Sequence, residues 1–152
     1  MAFRHISGPA HTEPYLKLAS TAIAVGAAVA IRRRGTDAGY LSQALITSTR
    51  IVGINIKLIQ STDGDWASNT AIPVLIPTPE DIFSADVSGT ATQANVGARY
   101  DLTGGAAGTA QSVDLSGTTY GVVTVVGFVS ASEVLVKFNS TLATADTITS
   151  QA

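Results

Sequence analysis

The chain of 152 residues contains no cysteine, so no disulfide staples it and no thiolate is available to ligate a metal. Stability must come from burial or from assembly. Aromatic residues are scarce at 6%, with a single Trp, which leaves little material for a sugar-stacking platform. Charged residues amount to 13% and the formal net charge is −2, a balance that calls for neither nucleic acid nor an anionic membrane. Long apolar runs are missing as well. The run LASTAIAVGAAVAI at 18–31 stops after 14 residues, with Gly26 inside it, whereas a spanning helix needs about 20. Arg32, Arg33 and Arg34 follow immediately, and positive charge behind an apolar run is the reverse of the order in an export signal.

Apolar residues make up 45%, mostly Ala, Val, Ile and Leu spread among Thr, Ser and Gly, a mixture that favours many short strands. Read with period 2, Ala19, Thr21, Ile23 and Val25 share one side of a strand, Gly26 permits a turn, and Ala27, Val29 and Ile31 restart the alternation. This predicts a β-hairpin or kinked strand, with a buried helix or a signal or membrane segment as the alternatives. Residues 1–17 carry two prolines and a glycine and no periodicity, so they read as an extended arm. In LITSTRIVGINIKLIQ, Ile51, Gly53 and Asn55 alternate with Val52, Ile54 and Ile56, a strand broken by one glycine. STDGDWASNT reads as a loop, and Pro73 in AIPVLIP suggests an edge strand. Thr78, Pro79, Glu80 and Asp81 have the cap, first-turn proline and acids of a short helix start. Beyond them the pattern is β throughout, ending in a strand at 122–129 and another at 133–138 with Val134, Val136 and Phe138 inward.

The expected fold is therefore all-β: a small β-barrel or sandwich of short antiparallel strands with an extended N-terminal arm and at most one short helix. The arm covers 1–17 and the β-domain 18–152, with 18–77 and 78–152 as an alternative division into two subdomains. The recurring pairs GTATQ and GTAQS, and DLTG and DLSG, are short enough to read as similar hairpin turns.

Charge is unevenly placed. Through residue 50 there are six Lys or Arg against two acids, +4; from 51 onward there are three against nine, −6. The basic third suits contact with an acidic surface or a neighbouring copy. Motifs for nucleophilic, metallopeptidase, phosphate-binding or dinucleotide chemistry are not found. The Gly104–Gly108 stretch lacks the lysine and helix of a phosphate cradle. Asp63 and Asp65 around Gly64 are too few for a calcium loop. Neither Glu80 and Asp81 nor the histidines His5 and His11 form a catalytic arrangement. Asn139-Ser140-Thr141 matches a glycosylation sequon, to which no role is attached without an export signal. These readings predict no catalytic, cofactor or metal site. The candidate partner contacts are Phe3, Arg4, His5 and Tyr15 on the arm, the basic cluster Arg32, Arg33 and Arg34, and Trp66, for which core burial is the competing role. For the arginines the competing readings are a solvated turn, an acidic protein surface, or nucleic acid, since on a strand at most two of the three share a face.

TAIAVGAAVAI with the later TSTRIVGI, and VLIPTPEDIFSADVSGTATQANVGARYDL continuing to SEVLVKFNSTL, resemble the opening hairpins and the β-barrel part of capsid decoration (cement) proteins of tailed bacteriophages. The resemblance covers most of the chain after the arm and is one of pattern. It implies a non-enzymatic virion protein on the outer surface of an icosahedral head, assembled in the host cytoplasm. The implied partners are the major capsid protein and further copies of this chain, commonly as a trimer, with the arm of each copy lying on the next and no membrane or direct nucleic-acid contact. A tail-associated, fibre-associated or self-assembling β-protein is the alternative, and a carbohydrate-binding β-sandwich a further one.

Overall fold

Among the described residues the alternation in the sequence becomes eleven short strands and one 3-10 turn. The structure is a computed structural model and describes residues 2–33, 35–46, 48, 51–103 and 107–139. In chain order the strands are β1 (Phe3–Ser7), β2 (His11–Leu16), β3 (Ala28–Ile31), β4 (Leu41–Gln43), β5 (Gly53–Asn55) and β6 (Ala71–Ile76), then β7 (Ile82–Ser88), β8 (Arg99–Leu102), β9 (Val113–Asp114), β10 (Val123–Ser130) and β11 (Glu133–Phe138). The 3-10 turn is Gln93–Asn95.

β2-β6-β5-β3-β4 form one sheet, and a parallel bridge between Lys17 and Leu41 joins its two ends. The Leu18 amide donates to the Leu41 carbonyl at 2.8 Å, so the sheet closes into a five-stranded barrel, which removes its edges where it closes. Its interior is filled by Val29, Leu41, Ile72, Val74 and Ile76, with Ile23, Val52 and Ile59 at its ends. The second sheet runs β1-β7-β11-β10-β8-β9, and β7 also pairs in parallel with β9. Strands β7 to β11 therefore make a second ring, with β1 added beside β7.

The two rings have the same topology. Taken by order along the chain, each is arranged first, fifth, fourth, second, third, and in each the first and third strands close the ring in parallel. The registers match as well. Val29–Gly53 corresponds to Tyr100–Val123, Ile31–Leu41 to Leu102–Val113, Ile54–Leu75 to Thr124–Lys137, and Val74–Glu13 to Val136–Phe83. Val25-Gly26-Ala27 and Val96-Gly97-Ala98 enter the second strand of each ring alike. Gly26 and Gly97 both have left-handed φ, 79° and 93°, the conformation glycine adopts without a Cβ penalty. Their amides donate to the Asn55 and Val125 carbonyls at 2.7 and 2.8 Å.

The first ring packs Ala28 and Ile54 into the core of the second. At the matching places of the second ring stand Arg99 and Thr124, so that face is apolar once and polar once, and the stack stops at two. Two buried glutamines join the rings. The Gln43 side-chain amide donates to the Thr109 carbonyl at 2.8 Å, while Gln111 accepts from the Ala28 amide at 2.9 Å and donates to the Ala44 carbonyl at 3.0 Å.

The following sequence expectations are corrected. Residues 3–16 are extended, but they are strands of their own chain's sheets: β1 pairs with β7 and β2 with β6, and Phe3 is buried among Phe83 and Phe138. The helix expected from Thr78 does not form, because the Asp81 carboxylate turns back to accept the Thr78 amide and Ile82, Phe83 and Ala85 continue as β7. In 18–31 only β3 is a strand; Ile23 contributes a single bridge to Ile59. β6 lies between β2 and β5 and is no edge strand. Pro73 faces Pro14 at a position where neither nitrogen points into the pair, since the Lys17 amide bonds the Thr70 carbonyl and bonded pairs alternate along an antiparallel ladder. Of the two expected turns, DLSG forms one, closed by the Gly117 amide donating to the Asp114 carbonyl at 3.1 Å, whereas Asp101 and Leu102 of DLTG lie in β8, opposite Asp114 and Val113 of β9.

Candidate contact surface

The buried polar groups of this fold are engaged in holding it together. Lys17 is fully buried, and its ammonium donates to the carbonyls of Asp65, Trp66 and Ser68 at 2.9, 3.3 and 2.5 Å, clamping the loop at 60–70 over one end of the first barrel. Asp81 is buried between the turn at 8–10 and the link into β7. It accepts the Ala10 amide at 2.9 Å and the Thr78 amide at 2.5 Å, with His5 Nε2 at 2.9 Å. Burial pushes its pKa up, but these donors outweigh that and hold it below the usual carboxylate value. Asp101 accepts three successive amides, Thr119, Tyr120 and Gly121, at 3.0, 2.7 and 2.7 Å. Among the described residues no group of three or more His, Asp or Glu is placed to hold a metal ion, and no helix is long and apolar enough to cross a membrane.

The residues expected to meet partners are dispersed. Phe3 is in the second core. Arg4 is exposed and 3.5 Å from Glu133, and His5 is held against Asp81. Tyr15 packs on the first core, and its phenol is raised above its ordinary pKa by burial first and by Glu13 second. Trp66 also packs on that core and is half-buried. Arg32 and Arg33 are exposed on the turn after β3, Arg32 Nε being 3.4 Å from Ser42 Oγ; Arg34 lies outside the described residues. β1 and β2 are engaged in their own chain's sheets, so residues 3–16 do not form a free arm.

A different surface was missed. Ile56 and Leu58, directly after β5, are 47% and 46% exposed. At the matching place on the second ring, Val126 and Phe128 of β10 are 37% and 41% exposed. Both pairs follow register-equivalent residues, Asn55 opposite Val74 and Val125 opposite Val136. The signal in the sequence is the apolar residue one and three places beyond Asn55 and Val125, whose carbonyls accept the Gly26 and Gly97 amides, in INIKL and TVVGF, which pattern alone assigns to a core face. Comparison with family models, with curated proteins and with solved structures finds no match for the chain.

Proposed function

We propose that the chain is a structural protein of a bacteriophage particle, a decoration or cement protein that binds the outer surface of an icosahedral head and stabilises the shell. It acts as a homo-oligomer, a trimer, with the major capsid protein as its partner. The observation that carries this reading is the division of labour among its side chains. Buried polar groups such as Lys17, Asp81, Asp101, Gln43 and Gln111 are bonded to backbone that fixes the two rings, while apolar side chains stand exposed at matching places on both rings. That is the economy of a rigid module that makes contacts rather than one that turns over a substrate. The sequence resemblance supplies the partner class.

The test is to mix the purified protein with empty expanded phage heads and measure bound protein by sedimentation. Saturable, stoichiometric binding that raises the temperature at which the heads disrupt is expected. Rods or sheets formed without heads would favour the self-assembling alternative, and neither binding nor self-assembly would overturn both.

A further inference from the structure

The two rings share a strand order and register, yet their outward positions have different chemistry. Ala28, Ile54 and Leu75 stand where Arg99, Thr124 and Lys137 stand. Against that divergence, one feature recurs: each ring leaves an apolar pair exposed just past the same register position, Ile56 with Leu58 and Val126 with Phe128. Within one molecule the rings already touch through another face, that of Ala28 and Ile54, so the exposed pairs are not part of the contact between the two rings. Their net charges are opposite. Residues 11–76 carry six Lys or Arg against four acids, +2, and residues 82–138 carry two against four, −2.

We infer that the occupant of these surfaces is a second copy of this chain, the Ile56/Leu58 pair of one molecule docking on the Val126/Phe128 pair of the next. Like charge opposes docking of first ring on first ring or second on second, whereas first on second brings +2 to −2 and pairs two apolar patches. The contact is heterologous, and a heterologous contact propagates around a ring or along a filament until rotation closes it. A closed ring of n copies then presents 2n barrels of one topology, alternating in charge. This inference stands without head binding and supplies the contact that the trimer of the preceding reading requires.

The experiment measures the mass of the full chain by light scattering during gel filtration. Two variants are used, Ile56→Ser with Leu58→Ser, and Val126→Ser with Phe128→Ser; all four positions are exposed, and circular dichroism checks that each variant folds. The wild type is expected as one closed oligomer, each variant alone as a monomer, and their equimolar mixture as a heterodimer, because one intact contact remains between the two. A monomeric wild type overturns the inference. So does a first variant that loses assembly while the second keeps it, which is the signature of a two-fold contact. Because the chain has no cysteine, a second readout is clean: Leu58→Cys mixed with Phe128→Cys should form the mixed disulfide dimer, and cross-linking of either variant only with itself would refute the head-to-tail order.

Discussion

Pro14 of β2 and Ser84 of β7 occupy the same position in their respective barrels. Each lies on the first strand of its ring, opposite Pro73 and Leu135 at matching registers. On the outer side of Ser84 lies β1, with Arg4 as its partner, and the Asp86 amide reaches the Ala2 carbonyl at 3.2 Å. On the outer side of Pro14 no strand of the described residues is paired. A proline there has no amide to offer an incoming strand, which is one of the ways proteins blunt an exposed edge. Pro14→Ser copies the paired ring into the unpaired one. It is expected to cost no more than about 1 kcal/mol of stability through the looser unfolded chain, and to produce species larger than the wild-type oligomer at rising concentration. Sedimentation velocity checks this; an unchanged distribution would show that the edge is shielded by something other than the proline.

Asp81 ties the turn between β1 and β2 to the link between the rings, and its folded pKa is depressed. A depressed carboxylate contributes stability that is fully present above its unfolded pKa, about 3.9, and that is lost as pH falls through the lower folded value. Asp65 and Asp114 are shifted in the same direction, chiefly by hydrogen bonds from Thr70 and Ser116. Stability is therefore expected to be flat from neutral pH to about 5 and to decline below about 4. Asp81→Asn should lower stability at pH 7 by about 1–3 kcal/mol, as expected for a buried set of donors deprived of its charged acceptor. It should also flatten the acid slope. Urea unfolding at pH 7 and at pH 3 measures both, and a variant with the wild-type slope would remove Asp81 from the acid response.

Much of the β-structure was legible because β10 and β11 form a local hairpin with one buried face, so alternation of Val134, Val136 and Phe138 against Glu133, Leu135 and Lys137 reads directly. The duplicated ring was not. Equivalent inward positions need only comparable apolar bulk, so Val29 matches Tyr100 and Ile76 matches Phe138, and Val-Gly-Ala at 25–27 and 96–98 is the one shared triplet, placed where backbone geometry demands glycine. The helix expected at Thr78 failed because a threonine followed three places later by an acid serves a turn as well as a helix cap. What decided between them was the period-2 run from Ile82 onward. Lys17 was invisible for another reason: a lysine at an inward position is recognised only once the carbonyls of 65, 66 and 68 close over it. The exposed pairs look like core residues until Ile56 and Leu58 are seen to lie past the end of β5 and Val126 to sit at a bulge in the β10–β11 ladder.

The clamp made by Lys17 yields a chemical prediction. An ammonium with no exposed surface, donating to three carbonyls, is shielded from acylating reagents in the folded chain. A lysine-reactive ester is expected to label Lys57, which is exposed, and to leave Lys17 unlabelled until denaturant is added. Lys17→Met keeps the length of the side chain but leaves those carbonyls without their donor, at about 1–3 kcal/mol for each that water cannot reach. A fall in the denaturation midpoint accompanied by faster proteolysis within 60–70 is expected. Labelling of Lys17 as fast as Lys57 would mean that the loop opens readily.

Gly53 tests how closely β5 and β6 approach. A Cβ built there would lie 2.2 Å from the Leu75 carbonyl oxygen and 2.7 Å from Val74 Cγ1, and the first of these is backbone within the ladder, with little freedom to move. The matching residue of the second ring is Val123, fully buried and without such a conflict, so the requirement comes from the local approach of the strands and not from the topology. Gly53→Ala is expected to cost about 1–3 kcal/mol, the range of overpacked cores, although alanine would otherwise gain stability by restricting the unfolded chain. The reciprocal change Val123→Gly should also destabilise, through lost apolar burial and added backbone entropy. Denaturation midpoints of the two variants separate the causes. If Gly53→Ala proved neutral, β5 would have to shift away from β6 at little cost, and the Ile54–Leu75 pairing that holds the first barrel to the second core would be softer than its burial implies.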